Sequence, residues 1–342
     1  MRVLVTGTDG YIGSVVAPQL RERGHDITAV DVGFYAEGAL FPPDLPGTTL
    51  RRDIRELELE DFADVDAILH FAELSNDPLG QLLPDITYEI NHRGTVHMAQ
   101  LAKSAGVERF VYASSCSVYG IADQDVVDEE SPVNPQTAYA VCKTLVERDL
   151  RPLADDSFSP TYLRFATAYG ASPRMRFDVV LNNLCGLAWT TREIKMESDG
   201  TPWRPLVHVR DIGSAVGSVL EAPRESIHNA VFNVGAPGAN FRIRDVAEIV
   251  GDVFPGCEIT IGATSPDNRS YRVSFDKIHS ALPELRCEWD PRRGAEELLA
   301  VFERVGLTEE EFRSRKFTRL KQIEHLLATG AIDDSFFWAN GR

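Results

Sequence analysis

Short apolar segments alternate with amphipathic segments along the first 120 residues of the chain. Apolar runs of this length predict buried strands, and four of them occur here: RVLVTG, HDITAVDV, AILHFA and RFVYASS. Residues 12–23 and 94–105 carry apolar side chains at helical spacing, and Gly24 and Gly106 stand where helix C-caps are expected. The alternation predicts an α/β protein with a doubly wound parallel sheet.

The pattern continues less regularly after residue 120. Residues 137–151 predict a helix, and the segments TYLRFATAYG and HNAVFNVGA predict two more buried strands. We expect a cofactor-binding domain of residues 1–170, to which residues 207–235 return. Residues 171–206 and 236–342 break the alternation and predict a smaller mixed α/β substrate-binding lobe.

Three segments of this second lobe have a readable pattern. FRIRDVAEIVGDVF has helical periodicity, and SYRVSFDKIHSAL predicts a short strand that leads into a helix. Residues 308–328 predict one charged amphipathic helix, and Thr308 with Glu311 forms the capping-box pattern at its start.

A glycine-rich turn separates the first strand from the first helix. Residues 7–13 read Gly-Thr-Asp-Gly-Tyr-Ile-Gly. Glycines at this spacing let the backbone approach a pyrophosphate closely, and the N-terminus of the following helix favours an anion. The context of strand, turn and helix predicts a Rossmann-type dinucleotide site. Its expected contacts are Gly7, Gly10, Tyr11, Ile12 and Gly13.

Asp31 ends the second strand, where a carboxylate can accept hydrogen bonds from both hydroxyls of the adenine ribose. The same charge repels a 2′-phosphate, so the sequence predicts NAD rather than NADP as the cofactor. Asp53 is a candidate adenine contact, and a solvated turn residue is an equally good interpretation of it. The remaining predicted cofactor contacts are Ile54, Phe71 and Ala72.

Tyr139 and Lys143 lie four residues apart in TAYAVCKTLVE and therefore share one face of a helix. The lysine cation and a positive nicotinamide ring both favour the phenolate. They are expected to lower the pKa of Tyr139 from about 10 towards neutrality. Tyr139 could then act as a base near pH 7.

Together these features resemble the extended short-chain dehydrogenase/reductase family, which includes nucleotide-sugar epimerases, dehydratases and decarboxylases. The matching segments within residues 1–215 are GTDGYIG, Asp31, ILHFA, INHRGT, SSCSVYG, YAVCK, LRFATAYG and WRPLVHVRDI. The resemblance implies that Ser115 hydrogen-bonds the sugar hydroxyl being oxidised, that Tyr139 is the base and that Lys143 orients the nicotinamide ribose. Asn91 matches an asparagine behind the family's cofactor site, and an ordinary buried helix residue is its alternative interpretation.

The resemblance also implies contacts to the substrate diphosphate. Asn183 resembles the family's asparagine near this group, and Arg204 resembles the arginine that clamps it. A guanidinium can donate two parallel hydrogen bonds to phosphate oxygens. Arg272 is the candidate for a second clamp, with Arg269 as the alternative, and a surface ion pair is the other interpretation of each arginine.

One segment departs from the family pattern. The strand end that usually reads His-Leu-Ala-Ala is His-Phe-Ala-Glu here, at residues 70–73. A glutamate beside the cofactor is unusual, so Glu73 either faces the site or points away. Ser75, Asn76 and Asp77 are candidates to face the sugar.

The reaction is inferred from the residues that follow Ser115. Family dehydratases carry an Asp-Glu pair after their catalytic threonine, and decarboxylases that make UDP-xylose carry a glutamate, where this chain has Cys116 and Ser117. Both reactions are therefore disfavoured. The sequence favours a 4-epimerase, in which Tyr139 takes the C4 hydroxyl proton, NAD takes the hydride, and the 4-keto sugar turns before the hydride returns.

Such an epimerase acting on a uronic acid must hold the carboxylate firmly, because oxidation at C4 gives a β-keto acid. Candidates for this contact are Ser117, Thr167 and Arg174, although Thr167 could simply pack and Arg174 could be a loop charge. Family UDP-glucuronate 4-epimerases have a similar threonine and arginine. The predicted substrate is a UDP-hexose or UDP-hexuronic acid, with UDP-glucuronate as a candidate. The alternatives are a 4-ketoreductase, a decarboxylase, or a catalytically silent NAD-sensing or RNA-associated relative.

Composition limits the partners. A net charge of −17 disfavours nucleic acid, and no apolar run approaches the length of a membrane span. Five dispersed cysteines without a C-x-x-C pair predict neither a structural metal site nor a disulfide framework, so we expect a cytoplasmic protein. The family resemblance implies a homodimer formed through helices near residues 92–106 and 138–151.

Overall fold

The computed structural model describes residues 1–44, 49–75, 77–121, 124–262 and 269–339. Asn76, a candidate to face the sugar, lies outside the described residues. The strands are β1 (Arg2–Thr6), β2 (Asp26–Val30), β3 (Thr49–Leu50), β4 (Ala67–His70), β5 (Arg109–Ser115), β6 (Ser159–Phe165), β7 (Thr167–Tyr169), β8 (Glu193–Lys195), β9 (Trp203–His208), β10 (Val231–Val234), β11 (Asn240–Arg242) and β12 (Glu258–Thr260).

The helices connect these strands on both faces of the main sheet and build most of the second lobe. They are α1 (Gly13–Glu22), α2 (Asp77–Leu82), α3 (Pro84–Thr87), α4 (Thr95–Ser104), α5 (Ala138–Leu150), α6 (Val180–Thr191), α7 (Val209–Glu221), α8 (Arg224–Ile227), α9 (Ile243–Val253), α10 (Asp276–Ala281), α11 (Pro291–Val305), α12 (Glu309–Phe312) and α13 (Arg319–Ala328). A π-helical turn, Tyr88–Gly94, precedes α4. Short 3₁₀ turns occupy Ile54–Glu56, Leu59–Phe62, Cys116–Tyr119, Arg151–Leu153 and Arg315–Phe317.

The main sheet has seven strands in the order β10-β6-β5-β4-β1-β2-β3, and all neighbours are parallel. Its central strands are buried on both faces, which explains their nearly continuous apolar sequence. The strand order reverses between β1 and β4. In open parallel sheets a ligand binds at the carboxyl ends of the strands at such a reversal. The predicted doubly wound α/β class is confirmed.

Two smaller sheets, β11-β9-β7 and β12-β8, lie in the second lobe. They pack with α6, α9 and α11 around a separate apolar core. The segment TYLRFATAYG was expected to form one strand, but it divides at Ala166 into β6 and β7. The division occurs because β7 leaves the main sheet and pairs with β9 instead, with Thr167 opposite Leu206.

The predicted single helix over residues 308–328 is wrong. The capping box at Thr308 is present, but the helix stops at Phe312 and a 3₁₀ turn precedes α13. The interruption lets Phe312 and Phe317 both pack edge-on against Phe177, with ring centroids 4.8 and 5.6 Å away. A continuous helix would carry these rings, five residues apart, on different faces.

The last described residues return to the main sheet. Ile323, Leu326, Ile332 and Phe336 are buried in the same core as α4 and the inner strands. The assignment of residues 236–342 to the second lobe stays a prediction, while the described end of the chain contacts the loop after β2 and the turn Ile54–Glu56 of the first domain. No helix among the described residues has the length and hydropathy that a membrane crossing requires.

Candidate active site

A cavity of about 1100 Å³ opens at the carboxyl ends of β1, β2, β4, β5 and β6, beneath the second lobe. It collects side chains that are far apart in the sequence. The predicted site residues that line it are Gly7, Gly10, Tyr11, Ile12, Gly13, Asp31, Asp53, Ile54, Phe71, Ala72, Ser75, Ser115, Ser117, Tyr139, Lys143, Thr167, Asn183 and Arg204.

The glycine-rich turn has the geometry that an anionic group requires. Gly7 has a φ of +76°, and a Cβ at Gly13 would lie 2.1 Å from the Gly7 carbonyl oxygen. No side chain fits there, so the backbone stays close to the start of α1, which has no side-chain cap and whose first residue lines the cavity. These residues fit the pyrophosphate of a dinucleotide.

Asp31 follows β2 and its carboxylate is buried. It accepts hydrogen bonds from the backbone amides of Asp9 at 2.8 Å and Gly33 at 2.7 Å. Burial, reinforced by the nearby charge of Asp9, raises the pKa of Asp31 to about 6. A ligand hydroxyl that donates to this carboxylate favours its charged form.

Asp53 lines the cavity, but its carboxylate is already engaged. Arg55 donates to it from the backbone amide at 2.8 Å and from the guanidinium at 2.9 and 2.8 Å. Through the bond from the Arg55 amide, the carboxylate caps the 3₁₀ turn Ile54–Glu56. Its contact with adenine stays a prediction.

Ser115, Tyr139 and Lys143 meet at the floor of the cavity. Thr137 caps α5 by accepting a hydrogen bond from the Ala140 amide at 3.2 Å, which puts Tyr139 in the first turn and Lys143 one turn later. The Ser115 side chain lies close enough to the Tyr139 hydroxyl to act on its pKa, which it lowers. The Lys143 ammonium lies 5.3 Å from the centre of the Tyr139 ring.

Glu73 points into the site. Its carboxylate forms an ion pair with Lys143 and accepts a hydrogen bond from the Tyr112 hydroxyl at 2.6 Å. Both members of the pair are buried, with side chains 2% and 4% exposed. The unusual glutamate therefore contacts the lysine that the family resemblance assigns to the nicotinamide ribose.

This arrangement changes the expected behaviour of Tyr139. Burial raises the pKa of Tyr139, and the charges of Glu73 and Asp77 act in the same direction, whereas the side chain of Ser115 opposes them. The predicted lowering towards neutrality is therefore not produced by the protein's own groups. The Glu73 carboxylate offsets the charge of Lys143, on which the predicted lowering depends.

A second buried ion pair supports the strand that carries Ser115. Glu147, one turn beyond Lys143, binds Arg164 through two contacts of 3.0 and 2.7 Å and accepts a hydrogen bond from Ser114 at 2.5 Å. The Cys116 thiol donates to the backbone oxygen of Arg164 at 3.2 Å, and burial raises the pKa of this thiol. Cys116 is thus held as a neutral structural group.

Asn91 does not line the cavity. It lies in the π-helical turn, where its side chain accepts from the amide of Leu74 at 2.8 Å and donates to the carbonyl of Leu74 at 3.0 Å. The predicted direct contact with the cofactor is not supported by this position. Asn91 instead fixes the segment that follows β4 and carries Glu73.

Arg174 also lies away from the cavity. Its guanidinium contacts Asp9 of the glycine-rich turn at 3.1 Å and donates to the carbonyl of Ala36 at 2.6 Å. The cavity-lining residues do not include Arg174, and its contact with the substrate stays a prediction. Arg176, two residues later, lines the cavity, and the sequence analysis missed it because an irregular loop has no period to indicate which arginine faces inward.

Arg272 pairs with Asp125, and its guanidinium lies 5.1 Å from the centre of the Trp203 ring, outside the cavity wall. This position argues against the second phosphate clamp predicted for Arg272. The alternative residue, Arg269, lines the cavity and contacts Asp77 at 2.8 Å.

Arg319 also lines the cavity and was not predicted as a site residue, because an arginine in an amphipathic helix usually indicates a solvent-exposed face.

Comparison with known proteins agrees with this geometry. Residues 3–235 match the model of the NAD dependent epimerase/dehydratase family. The chain belongs to this family. The predicted resemblance to extended short-chain dehydrogenases/reductases and the prediction of NAD as the cofactor are both confirmed.

Individual relatives within the family are distant. The chain is 27% identical over 326 residues to a UDP-glucose 4-epimerase of Bacillus subtilis (strain 168), which covers 88% of this chain and 95% of that protein. Among solved structures, the NAD-dependent NDP-hexosamine 5,6-dehydratase TunA, involved in tunicamycin biosynthesis, has a TM-score of 0.80 at 26% identity, covering 89% and 98% of the two chains. MoeE5 in complex with UDP-glucuronic acid and NAD has a TM-score of 0.76 at 28% identity, covering 89% and 99%. Family membership thus leaves several reactions open.

The environment of Asp31 predicts that NAD binding depends on pH. Ribose hydroxyls that donate to the carboxylate favour its charged form, so a carboxyl that is protonated below about pH 6 must release a proton on binding. The affinity of the NAD-free protein for NAD is expected to weaken by up to about tenfold per pH unit below pH 6. Calorimetric titration between neutral and acidic pH measures this. Asp31→Asn should bind NAD more weakly and without the dependence, and a flat profile for the wild type would contradict the assignment.

Removal of the charge of Glu73 is expected to lower the pKa of Tyr139, because Glu73→Gln removes a negative charge beside the phenol and frees Lys143. NMR of isotope-labelled tyrosine Cζ follows the titration directly, with Tyr139→Phe identifying the signal. Glu89→Gln makes the same charge change in an exposed helical pair and should leave Tyr139 unchanged. An equal titration in wild type and Glu73→Gln would show that Glu73 has no influence.

Proposed function

We propose that this family member is an NAD-dependent 4-epimerase of a UDP-hexose or UDP-hexuronic acid, with UDP-glucuronate as the candidate substrate. The observation that carries the proposal is the character of the two residues after Ser115. Cys116 is buried and neutral, and Ser117 offers only a hydroxyl, so this turn supplies no acid–base pair for elimination. The cluster can still oxidise an alcohol and reduce the ketone again.

The proposed reaction uses the geometry described for the floor of the cavity. Ser115 holds the C4 hydroxyl of the sugar, and Tyr139 takes its proton and returns it to the C4 oxygen after the 4-keto sugar has turned its other face to the cofactor. When bound, NAD accepts the hydride from C4 and returns it. The positive charge of the oxidised nicotinamide opposes the effects of burial and Glu73 on the pKa of Tyr139.

The cavity wall offers donors for the group at C5. The Ser117 hydroxyl is buried and has no hydrogen-bond partner among the residues that the structure describes. Arg176 reaches Ser75, with 3.3 Å to both its carbonyl and its hydroxyl, and is balanced by Asp178 at 2.9 Å. We assign to Ser117 and Arg176, with Thr167, the contact to a C5 carboxylate or hydroxymethyl group.

The diphosphate of the substrate is assigned to the part of the cavity that the second lobe covers. Asn183, Arg204 and Arg269 line this part. Asn183 lies in the first turn of α6, where its side-chain amide donates to the carbonyl of Phe177 at 2.9 Å. Two guanidinium groups near a diphosphate are the usual means of clamping it.

A dehydratase is the second candidate. Elimination needs an acid–base group, and Glu73 brings one buried carboxylate to the cavity from a different strand end. The similarity to the 5,6-dehydratase structure favours the same reading. The epimerase is still preferred, because the Glu73 carboxylate is already engaged by Lys143 and Tyr112 and is therefore not free to act as the acid or base of an elimination.

The purified protein is to be incubated with UDP-glucuronic acid and with UDP-glucose, without added cofactor, and followed by NMR of the anomeric protons. We expect the corresponding 4-epimer, UDP-galacturonate or UDP-galactose. Tyr139→Phe should slow turnover by about 100-fold or more. UDP-xylose would indicate a decarboxylase, a product that has lost water a dehydratase, and turnover only with an added reductant a ketoreductase. Unchanged turnover in Tyr139→Phe would contradict the enzymatic mechanism.

We also propose a cytoplasmic homodimer formed through α4 and α5. All five cysteines are free thiols, which suits a reducing compartment. The two helices carry half-buried apolar side chains that include Leu101, Val141 and Leu145. Light scattering should give about twice the chain mass of 37.9 kDa, and Leu145→Glu should reduce it to one chain. A wild-type monomer would contradict the assembly.

A further inference from the structure

Residues 315–339, here named the C-terminal clasp, cross over the loop of residues 32–38 that follows Asp31. The clasp includes α13 and the chain after it. Three side-chain hydrogen bonds join it to the loop: Trp338 Nε1 to Val32 O at 2.7 Å, Gln322 Nε2 to Phe34 O at 3.0 Å, and Arg315 Nη2 to Glu37 Oε2 at 3.0 Å.

Apolar contacts reinforce these bonds. The Phe34 ring packs edge-on against Phe336, with 6.2 Å between centroids, and lies 5.7 Å from Trp338. Phe34 and Phe336 are almost fully buried. The loop beside the predicted ribose-binding carboxylate is therefore part of one core with the clasp.

The clasp places two cationic residues, Arg319 and Lys321, along the cavity, and Arg319 is the buried one. Arg319, the first residue of α13, is 3% exposed, and its guanidinium lies over the Tyr35 ring at 4.1 Å. Its Nη2 donates to the carbonyl of Arg174 at 3.2 Å. Its Nη1 has no hydrogen-bond partner among the described residues, although Arg319 lines the cavity.

An unsatisfied buried guanidinium is costly to the folded protein. Burial lowers the pKa of Arg319 to about 10, and the neighbouring cation Arg176 acts in the same direction. The closest carboxylates compensate only in part, since Asp178 is held by Arg176 and Asp31 by two backbone amides. An anion in the cavity would satisfy the remaining donor.

We propose that Arg319 is a cofactor-binding residue, which donates through Nη1 to the pyrophosphate of NAD while the clasp covers the adenosine half. The dinucleotide is preferred to the sugar nucleotide because Tyr35 and Asp31 lie on the adenosine side of the cavity. The arginines assigned to the sugar diphosphate, Arg204 and Arg269, come from the second lobe. The inference rests on the family's cofactor and not on the sugar reaction.

A consequence is that NAD leaves slowly. A cofactor held under the clasp has to break the contact with Arg319 or displace α13 before it dissociates. A tightly held cofactor suits a reaction in which the same molecule gives back the hydride that it received.

The test compares Arg319→Met with wild type and with Arg313→Met. Methionine keeps an apolar side chain over Tyr35 but removes the donors, whereas Arg313 is an exposed cation paired with Glu309, outside the cavity. The readouts are the NAD retained through purification and the rate at which isotope-labelled NAD exchanges into the holoenzyme. Loss of one charged hydrogen bond is expected to speed NAD release by about tenfold to a hundredfold in Arg319→Met, with no change in Arg313→Met.

Binding of UDP to the NAD-loaded protein separates the two possible diphosphates. Unchanged NAD release combined with weakened UDP binding would assign Arg319 to the sugar nucleotide and overturn the proposal, and no change in either measurement would overturn it as well. If Arg319→Met does not fold, Arg319→Lys replaces it. Its shorter reach and single point charge should still speed NAD release, and release at the wild-type rate would count against the proposal.

Discussion

The close approach between the glycine-rich turn and the end of β4 determines the geometry of the whole site. A Cβ at Gly7 would lie 2.8 Å from the amide nitrogen of Ala72, so the turn and the strand end are in direct backbone contact. This contact sets both the start of α1 and the path of the chain after β4. The residue that follows Ala72 is Glu73, whose carboxylate reaches Lys143 from a segment that Asn91 also holds through Leu74.

Helix α5 is fixed to the sheet by two buried ion pairs of opposite sense. Lys143 reaches forward to the end of β4, and Glu147, one turn later, reaches Arg164 on β6. The two pairs therefore lie on either side of β5, which carries Ser115. Buried pairs of this kind contribute little net stability, but removal of one partner leaves an uncompensated buried charge. Both pairs therefore have to be intact for α5 to pack against β5 without a buried lone charge.

The features that could be predicted from the sequence are those determined by short-range geometry. The glycine spacing, the four-residue step from Tyr139 to Lys143 and the alternation of strands and helices each specify local structure directly. The choice between Arg174 and Arg176 could not be predicted, since both lie in one irregular loop and only the position of Asp9 separates their roles. The orientation of Glu73 likewise depends on Tyr112 and Lys143, which lie on other elements.

The end of the described chain could be predicted least well. The charged pattern of residues 308–328 correctly indicates helix. The break in this helix arises from packing around Phe177, and the sequence of the segment itself gives no indication of that contact. The return of Trp338 to Val32 spans 306 residues. Periodicity carries no information on contacts at such a distance.

The same span has a consequence for synthesis. Val32 and Phe34 leave the ribosome some 300 residues before Trp338 does, so the loop beside Asp31 has no clasp while those residues are synthesised. The sheet and the glycine-rich turn can form during that time, because their contacts are among residues already made. If the clasp covers the adenosine half of NAD as proposed, the cofactor can therefore bind to the nascent chain before the covering segment has been made.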